Sequence, residues 1–406
     1  MNVIFLEPSF PASQREFVRA LAAIGARVHG IGERPVDWLD GELRSWLASY
    51  RQIGSIADEA ALEHAVREAQ GEVWIDRLET VVEAHVMAAA RVRERTGIPG
   101  TSTRTAWLCR DKPAMKEALR AAGVPCAASA GIASAGEARE FVREHGYPIV
   151  IKPRDSAGAA GTWRCDDDDA LANALDGSGV ERGATAAIEE FVEGHEGFLD
   201  TLAVNGQPRH EFVSHYYPNV LDAMRTRWIS PQIVATNRID DPAYEEVRAM
   251  NRRVVETLGI ETSATHMEWF FGPKGLRFSE IGCRPPGVGQ WDSYCAGNDM
   301  DLYRDWALAV CHHVTEATAS RSHACGIIAF RPERDGRVFG YDGTEKIFEK
   351  YGHLVVGQHF PEPGTPTQGV EAGYMANAWM RVRHSDFDAL RGILAEMGQH
   401  VRVRAG

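Results

Sequence analysis

The chain has 406 residues, 44% of them apolar and 25% charged, with a net charge of −13 at pH 7. This is an ordinary globular composition with room for a large core, divided among roughly two to four domains. The acidic balance excludes nucleic acid or an anionic membrane as the main partner, yet permits a small anionic ligand in a locally basic cleft.

In chain order, Val3–Leu6 reads as a first strand ending in Glu7-Pro8-Ser9. A helix is expected next, with Ser13 and Glu16 as a capping box, Phe17, Leu21 and Ile24 on one face, and Gly25 at its end. Val28–Ile31 and Gly71–Ile75 read as further strands, the latter followed by a helix near residues 82–95. Strands alternating with helices predict a parallel sheet, and this first α/β unit ends near residue 105. Asp111-Lys112-Pro113 starts a helix, with Asp as cap and Pro in the first turn. Ser134 and Glu137 form a second capping box. Tyr147–Ile151, Ala186–Val192 and Gly197–Val204 are the next apolar strands, and Asp241-Pro242 opens a helix to about Leu258. Beyond Gly326 come short strands, Gly/Pro turns and one late helix near Phe387–Met397.

The seven cysteines are odd in number and contain no C-x-x-C pair, which suggests free thiols in a reducing compartment. The first residues lack the charge and apolar pattern of a signal peptide, and no apolar run approaches about 18 residues. A cytoplasmic location is expected, with no membrane partner.

Chemistry concentrates around residues 265–287. Thr265-His266-Met267-Glu268-Trp269-Phe270-Phe271 leads into a Gly-Pro-Lys-Gly turn, then Leu276 to Glu280, Ile281, Gly282, Cys283 and Arg284. Two carboxylates among aromatic residues are costly to bury without a compensating cation. Oxygen ligands suit Mg²⁺, which one or two carboxylates hold together with substrate phosphates. With a three- or five-residue loop, Glu268 and Glu280 share a face as diagonal neighbours, roughly 7–8 Å apart at Cα. A four-residue loop puts them on opposite faces.

Lys152 ends a strand and precedes Pro153-Arg154-Asp155-Ser156-Ala157-Gly158-Ala159-Ala160-Gly161. Small residues let backbone N–H groups approach a phosphate, and lysine adds a point charge. The loop is not a Walker A motif, because its lysine precedes its glycines, and a plain turn is the competing reading. In Ile188-Glu189-Glu190-Phe191-Val192-Glu193-Gly194-His195-Glu196, a strand running into a turn offers backbone groups to an adenine edge and Glu196 to ribose hydroxyls. Composition alone favours a buried strand with exposed glutamates.

Taken in order, these segments resemble the ATP-grasp superfamily, and within it the carboxylate–amine ligases of the amino-acid ligase type. The resemblance is close over roughly residues 105–310 and looser on either side. It implies an α/β and α+β chain: a Rossmann-like parallel-sheet domain (1–105), an ATP-grasp nucleotide- and metal-binding domain (106–320), and a small α+β lobe (321–406). It implies that Lys112 and Lys152 contact the α- and β-phosphates and that Ser156, Gly158 and Gly161 belong to a lid over them. Glu189 or Glu190 would meet the adenine amino group beside the Phe191 and Val192 backbones, and Glu196 the ribose. Glu268 and Glu280 would hold Mg²⁺, as two ions and with Mn²⁺ as a substitute, and Arg284 would steady an acyl phosphate.

Many members have Asn where this chain has Gly282, which leaves open how a second ion is held. The implied partners are a small-molecule carboxylate and an amine, with a homodimer common among resembling proteins. Activation of bicarbonate is the alternative enzymatic reading, although there is no biotinyl-lysine motif; a nucleotide-binding module without turnover is the third.

Further substrate candidates are His266, His215, Arg227 and Glu7. A core role is the competing reading for His266, and a strand with a partly ordered loop is the stronger reading for His215 and Arg227. Asp166–Asp169 reads as a solvated turn supporting the next helix, not a metal site.

Overall fold

The computed structural model describes residues 1–154 and 161–406. The N-terminal sheet is built from β1 (Asn2–Leu6), β2 (Arg27–Gly32), β3 (Leu47–Gln52) and β4 (Arg77–Glu79), in the order β3-β2-β1-β4. Every pairing in it is parallel, as the alternation of strands and helices predicts.

Three local expectations fail here. Gly71–Ile75 is not a strand: its first two residues end the helix Glu59–Glu72, in which Leu62, Val66 and Ala69 are buried. The chain straightens only at Val73, leaves Trp74 81% exposed and pairs with β1 from Arg77 onward. Ser13 makes no side-chain cap; Glu16 instead pairs with Arg19 at 2.7 Å. β3 went unseen because its half-buried, polar sequence carries little apolar signal.

A second sheet, ordered β5-β8-β6-β7, contains β5 (Ser129–Ile132), β6 (Ile149–Lys152), β7 (Trp163–Cys165) and β8 (Ala186–Glu190). It is antiparallel throughout. β8 stops at Glu190, two residues short of the expected end, as the chain turns toward Gly194. Two helices, Ala135–His145 and Asp168–Gly177, contribute to its core. Asp167 caps the second helix by accepting from the Ala170 N–H at 2.8 Å.

The large sheet has eight strands, ordered β13-β12-β9-β10-β11-β14-β17-β16. They are β9 (His195–Val204), β10 (Gln207–Tyr217), β11 (Gln232–Ala235), β12 (Ser263–Gly272), β13 (Gly275–Gly282), β14 (Ala324–Phe330), β16 (Val355–His359) and β17 (Ala378–His384). β15 (Val338–Asp342) pairs instead with β18 (Arg402–Ala405). Strands before and after residue 320 thus share one sheet. The helix Phe387–His400 packs Leu390, Leu394 and Met397 against β14 and β17. One core cluster joins Phe5 and Phe17 of the N-terminal unit to Trp291, Tyr303 and Trp306. That shared core holds the parallel sheet beside the large one.

Candidate active site at the junction of the two antiparallel sheets

A cleft of about 390 Å³ lies between the small and large antiparallel sheets. Its lining includes Lys112, Lys116, Lys152, Glu189, Glu268 and Glu280. The helix Lys112–Ala121 begins as the sequence predicts: Asp111 accepts from the Ala114 N–H at 3.0 Å, with Pro113 in the first turn. Arg154, just past β6, grips the same Asp111 carboxylate at 2.8–3.0 Å. The cap therefore ties the lysine-bearing helix to the strand that carries Lys152.

Lys116 Nζ and Lys152 Nζ both reach Glu189 Oε2, at 2.7 and 2.8 Å. Burial alone would raise the Glu189 carboxyl, but the two ammonium groups outweigh it and bring it down to about 2. Its other oxygen, Oε1, is buried without a hydrogen-bond partner. Lys116 was not singled out in the sequence, although its spacing of four from Lys112 puts both on one helix face. Glu190 is drawn away from this cluster to Lys274. The Phe191 N–H is already used on Pro148 O at 3.1 Å, while Val192 lines the cleft.

The hairpin of β12 and β13 turns through only Pro273 and Lys274, since Gly272 pairs with Gly275. An even-numbered turn would put Glu268 and Glu280 on opposite faces. A β-bulge absorbs Ser279, so Glu268 pairs directly with Glu280. The expected three- or five-residue loop and diagonal spacing are therefore both replaced, by a tighter turn and direct opposition. Like charges opposed across a ladder repel. Lys112 Nζ relieves this at 3.3 Å from Glu280 Oε2, with Lys152 Nζ at 4.0 Å. Among the described residues no three His, Cys, Asp or Glu side chains converge as a complete metal cage. Two carboxylates beside lysines fit a Mg²⁺ ion whose remaining ligands are phosphate oxygens and water.

Burial, then the charge of Glu268, push the Glu196 carboxyl up to about 8. Its Oε2 accepts from the Val220 N–H at 2.6 Å. His266 lies between two carboxylates, with Nδ1 2.7 Å from Asp200 Oδ1 and Nε2 3.4 Å from Glu268 Oε1. Burial pulls the imidazole down, but Asp200 outweighs it and holds His266 at about 9. Burial likewise favours protonation of Glu268, yet His266, Lys152 and Arg284 keep it below the usual carboxylate range.

Arg284 Nε meets Glu83 Oε2 at 2.8 Å, and Arg110 meets the other oxygen of Glu83 at 2.9 Å. Glu83 comes from the N-terminal unit and lies in no motif that would point to it. A Cβ at Gly282 would sit 2.9 Å from Glu83 Oε2. The missing side chain at 282 is thus where Glu83 enters.

The remaining candidates lie elsewhere. His215 is buried, bonded to His195 and to the Tyr244 hydroxyl at 2.9 Å each, and burial lowers it to about 3. Arg227 forms a two-pronged pair with Asp335 at 2.7 and 2.9 Å. Glu7 accepts from the Glu33 N–H and from Ser9, bracing the turn after β1. None of these three is among the residues that line the cleft. Gly161 has a left-handed φ of +69°, whereas Ser156 and Gly158 lie outside the described residues.

Residues 117–297 match the ATP-grasp domain model. The chain is 24% identical to an L-arginine-specific L-amino acid ligase of Bacillus subtilis, over 58% of this chain and 60% of that protein. It is also 24% identical to an alanine–anticapsin ligase of B. subtilis strain 168, over 48% and 44% respectively. The chain thus spans about 60% and 44% of the length of these two curated relatives. An L-amino acid ligase structure from Bacillus licheniformis superposes with a TM-score of 0.78 at 15% identity, covering 100% of this chain and 98% of the other. N5-carboxyaminoimidazole ribonucleotide synthetase from Thermotoga maritima gives 0.72 at 17%, covering 100% and 99%. Residues 117–297 thus form an ATP-grasp domain, and over its whole length the chain shares the fold of that L-amino acid ligase structure.

Proposed function

We propose that this protein is an ATP-dependent carboxylate–amine ligase that activates an amino acid as its acyl phosphate and joins it to an amine, releasing ADP and phosphate. The observation that carries this reading is the direct opposition of Glu268 and Glu280, with Lys112, Lys152 and Arg284 around them. A carboxylate is a poor electrophile, and transfer of the γ-phosphoryl group gives it a good leaving group. Such transfer needs chiefly positioning and charge neutralisation.

In this reading Lys112 and Lys152 hold the phosphates, and Lys152 leaves Glu189 when nucleotide enters. The unpartnered Glu189 Oε1 accepts from the adenine amino group, and Glu196 from the ribose. Glu268 and Glu280 hold Mg²⁺, which neutralises charge on the transferring group. Arg284 binds the substrate carboxylate and then the oxyanion formed when the amine attacks. Glu83, placed against Arg284 by the gap at Gly282, faces the ammonium group of an amino acid. The expelled phosphate takes the bonding pair of the broken C–O bond, and the amine loses a proton. No covalent enzyme intermediate is required, so the cysteines are free to be structural.

The test is phosphate release from ATP and Mg²⁺ across amino acids supplied singly and in pairs, with bicarbonate included and ADP separated from AMP. ADP formed only with particular pairs is the expected result, lost in Glu280→Gln. AMP as product would refute the acyl-phosphate route. Turnover with bicarbonate alone would favour a carboxylase-type reaction.

A further inference from the structure

A buried polar chain runs from the helix Gln290–Asn298, just past Arg284, to Glu268. Gln290 Nε2 donates to Ser214 Oγ at 3.1 Å, and Ser214 Oγ lies 3.2 Å from the Tyr294 hydroxyl. Tyr294 donates to Asp200 Oδ2, while Asp200 Oδ1 accepts from His266 Nδ1 at 2.7 Å. His266 Nε2 then faces Glu268 Oε1 at 3.4 Å. Gln290, Ser214, Tyr294 and Asp200 are each at most 1% exposed. Apolar side chains would fill this space at less cost, because every buried polar atom must be matched.

The chain is also held from its flanks. Tyr294 stacks on Phe212 at 4.3 Å with 10° between the rings, and His266 meets Phe198 edge-on at 4.8 Å. With Nδ1–H fixed on Asp200, the His266 ring presents Nε2 to Glu268 in one orientation. The Tyr216 hydroxyl, at 3.5 Å, contacts the same oxygen, Oε1. Both contacts leave Oε2 as the oxygen for a cation.

We propose that Asp200 and Tyr294 are positioning residues that, acting through His266, fix which oxygen of Glu268 meets the metal. This rests on the reading of Glu268 as a metal ligand. Partners that orient a ligating group change metal affinity by about 10–100-fold when removed. They act on the metal, not on the nucleotide.

The test compares Tyr294→Phe, Asp200→Asn and Glu268→Gln with the unaltered protein. Mn²⁺ affinity is read by electron paramagnetic resonance with ADP present, and ADP affinity is read separately in EDTA. The expected result for Tyr294→Phe is Mn²⁺ binding weakened about 10-fold, with metal-free ADP affinity unchanged. Asp200→Asn is expected to weaken it further; if that variant does not fold, Tyr294→Phe alone decides. Mn²⁺ affinity within twofold of the unaltered protein in Tyr294→Phe, while Glu268→Gln loses it, would overturn the proposal. So would a parallel loss of metal-free ADP affinity, which marks general loosening. Unchanged Mn²⁺ affinity in Glu268→Gln would instead refute the metal assignment beneath it.

Discussion

Replacing Lys116 by Met tests the charge cluster at the floor of the cleft. Glu189 falls from 4.5 to about 2 in the folded protein, worth about 3 kcal/mol in favour of its charged form. Two ammonium groups share that effect at nearly equal distance, 2.7 and 2.8 Å. Methionine keeps the buried stem, removes one charge and ends the cost of burying it, which already lowers the Lys116 ammonium. The expected loss is about 1–2 kcal/mol at pH 7, below the roughly 3–5 kcal/mol of breaking a buried pair outright, because Lys152 remains. Glu189→Gln should reach that larger range, since it leaves two ammonium groups facing each other. The double variant should lose less than the sum, with a coupling of about 2 kcal/mol.

The sign with pH is set by the depressed carboxyl. Its contribution is complete above about 4.5 and disappears as pH falls toward 2, so the Lys116→Met penalty should shrink between pH 7 and pH 3. Urea denaturation at both pH values is the assay. Full stability of Lys116→Met at pH 7, or strict additivity with Glu189→Gln, would refute the buried cluster.

Gly282→Asn should drive Glu83 out of the 2.9 Å gap and break its 2.8 Å pair with Arg284. KM for the amino acid should rise about tenfold, the effect of about 1.4 kcal/mol, with KM for ATP little changed; unaltered amino-acid KM would show that Glu83 has no part in binding. Glu196 is held up at about 8, so the folded state keeps an extra proton between pH 4.5 and 8 and loses stability as pH rises through that window. Glu196→Gln should therefore gain stability relative to the unaltered protein from pH 5 to pH 8 in urea melts, and a constant difference would contradict this. Deleting Ser279 should remove the bulge yet leave Glu280 opposite Glu268, so Mn²⁺ binding should persist within about tenfold; complete loss would mean that the bulge itself aims Glu280.

The hairpin, the lysine at the end of β6 and the capped helix before it were legible because each is local: turn residues, a cap and a strand lie within a few positions. The facing of Glu268 and Glu280 was legible only in outcome. The turn has the parity that would have separated them, and a bulge, which no residue type demands, restored it. Lys116 was within reach of helical spacing. Glu83 was not, because its partner is 201 residues away and the two meet only after the N-terminal unit docks. Gly71–Ile75 shows the opposite failure, where a short apolar run is the extended link that leaves an amphipathic helix at Val73. His215 and Arg227 sit in a suggestive cluster of types, and their partners, His195 and Tyr244 for the one and Asp335 for the other, come from segments no local pattern links to them.

β13 is an edge strand, and it carries Glu280. Exposed edges invite pairing with other chains. Here the Phe278 N–H is taken by Pro125 O at 2.8 Å, and Cys126 bridges to Phe278 in parallel. That cap is the short connection between the lysine-bearing helix and β5, the first strand of the small sheet. The same few residues cover part of that edge and tie the small sheet's first strand, through two residues of backbone pairing, to the strand that holds Glu280.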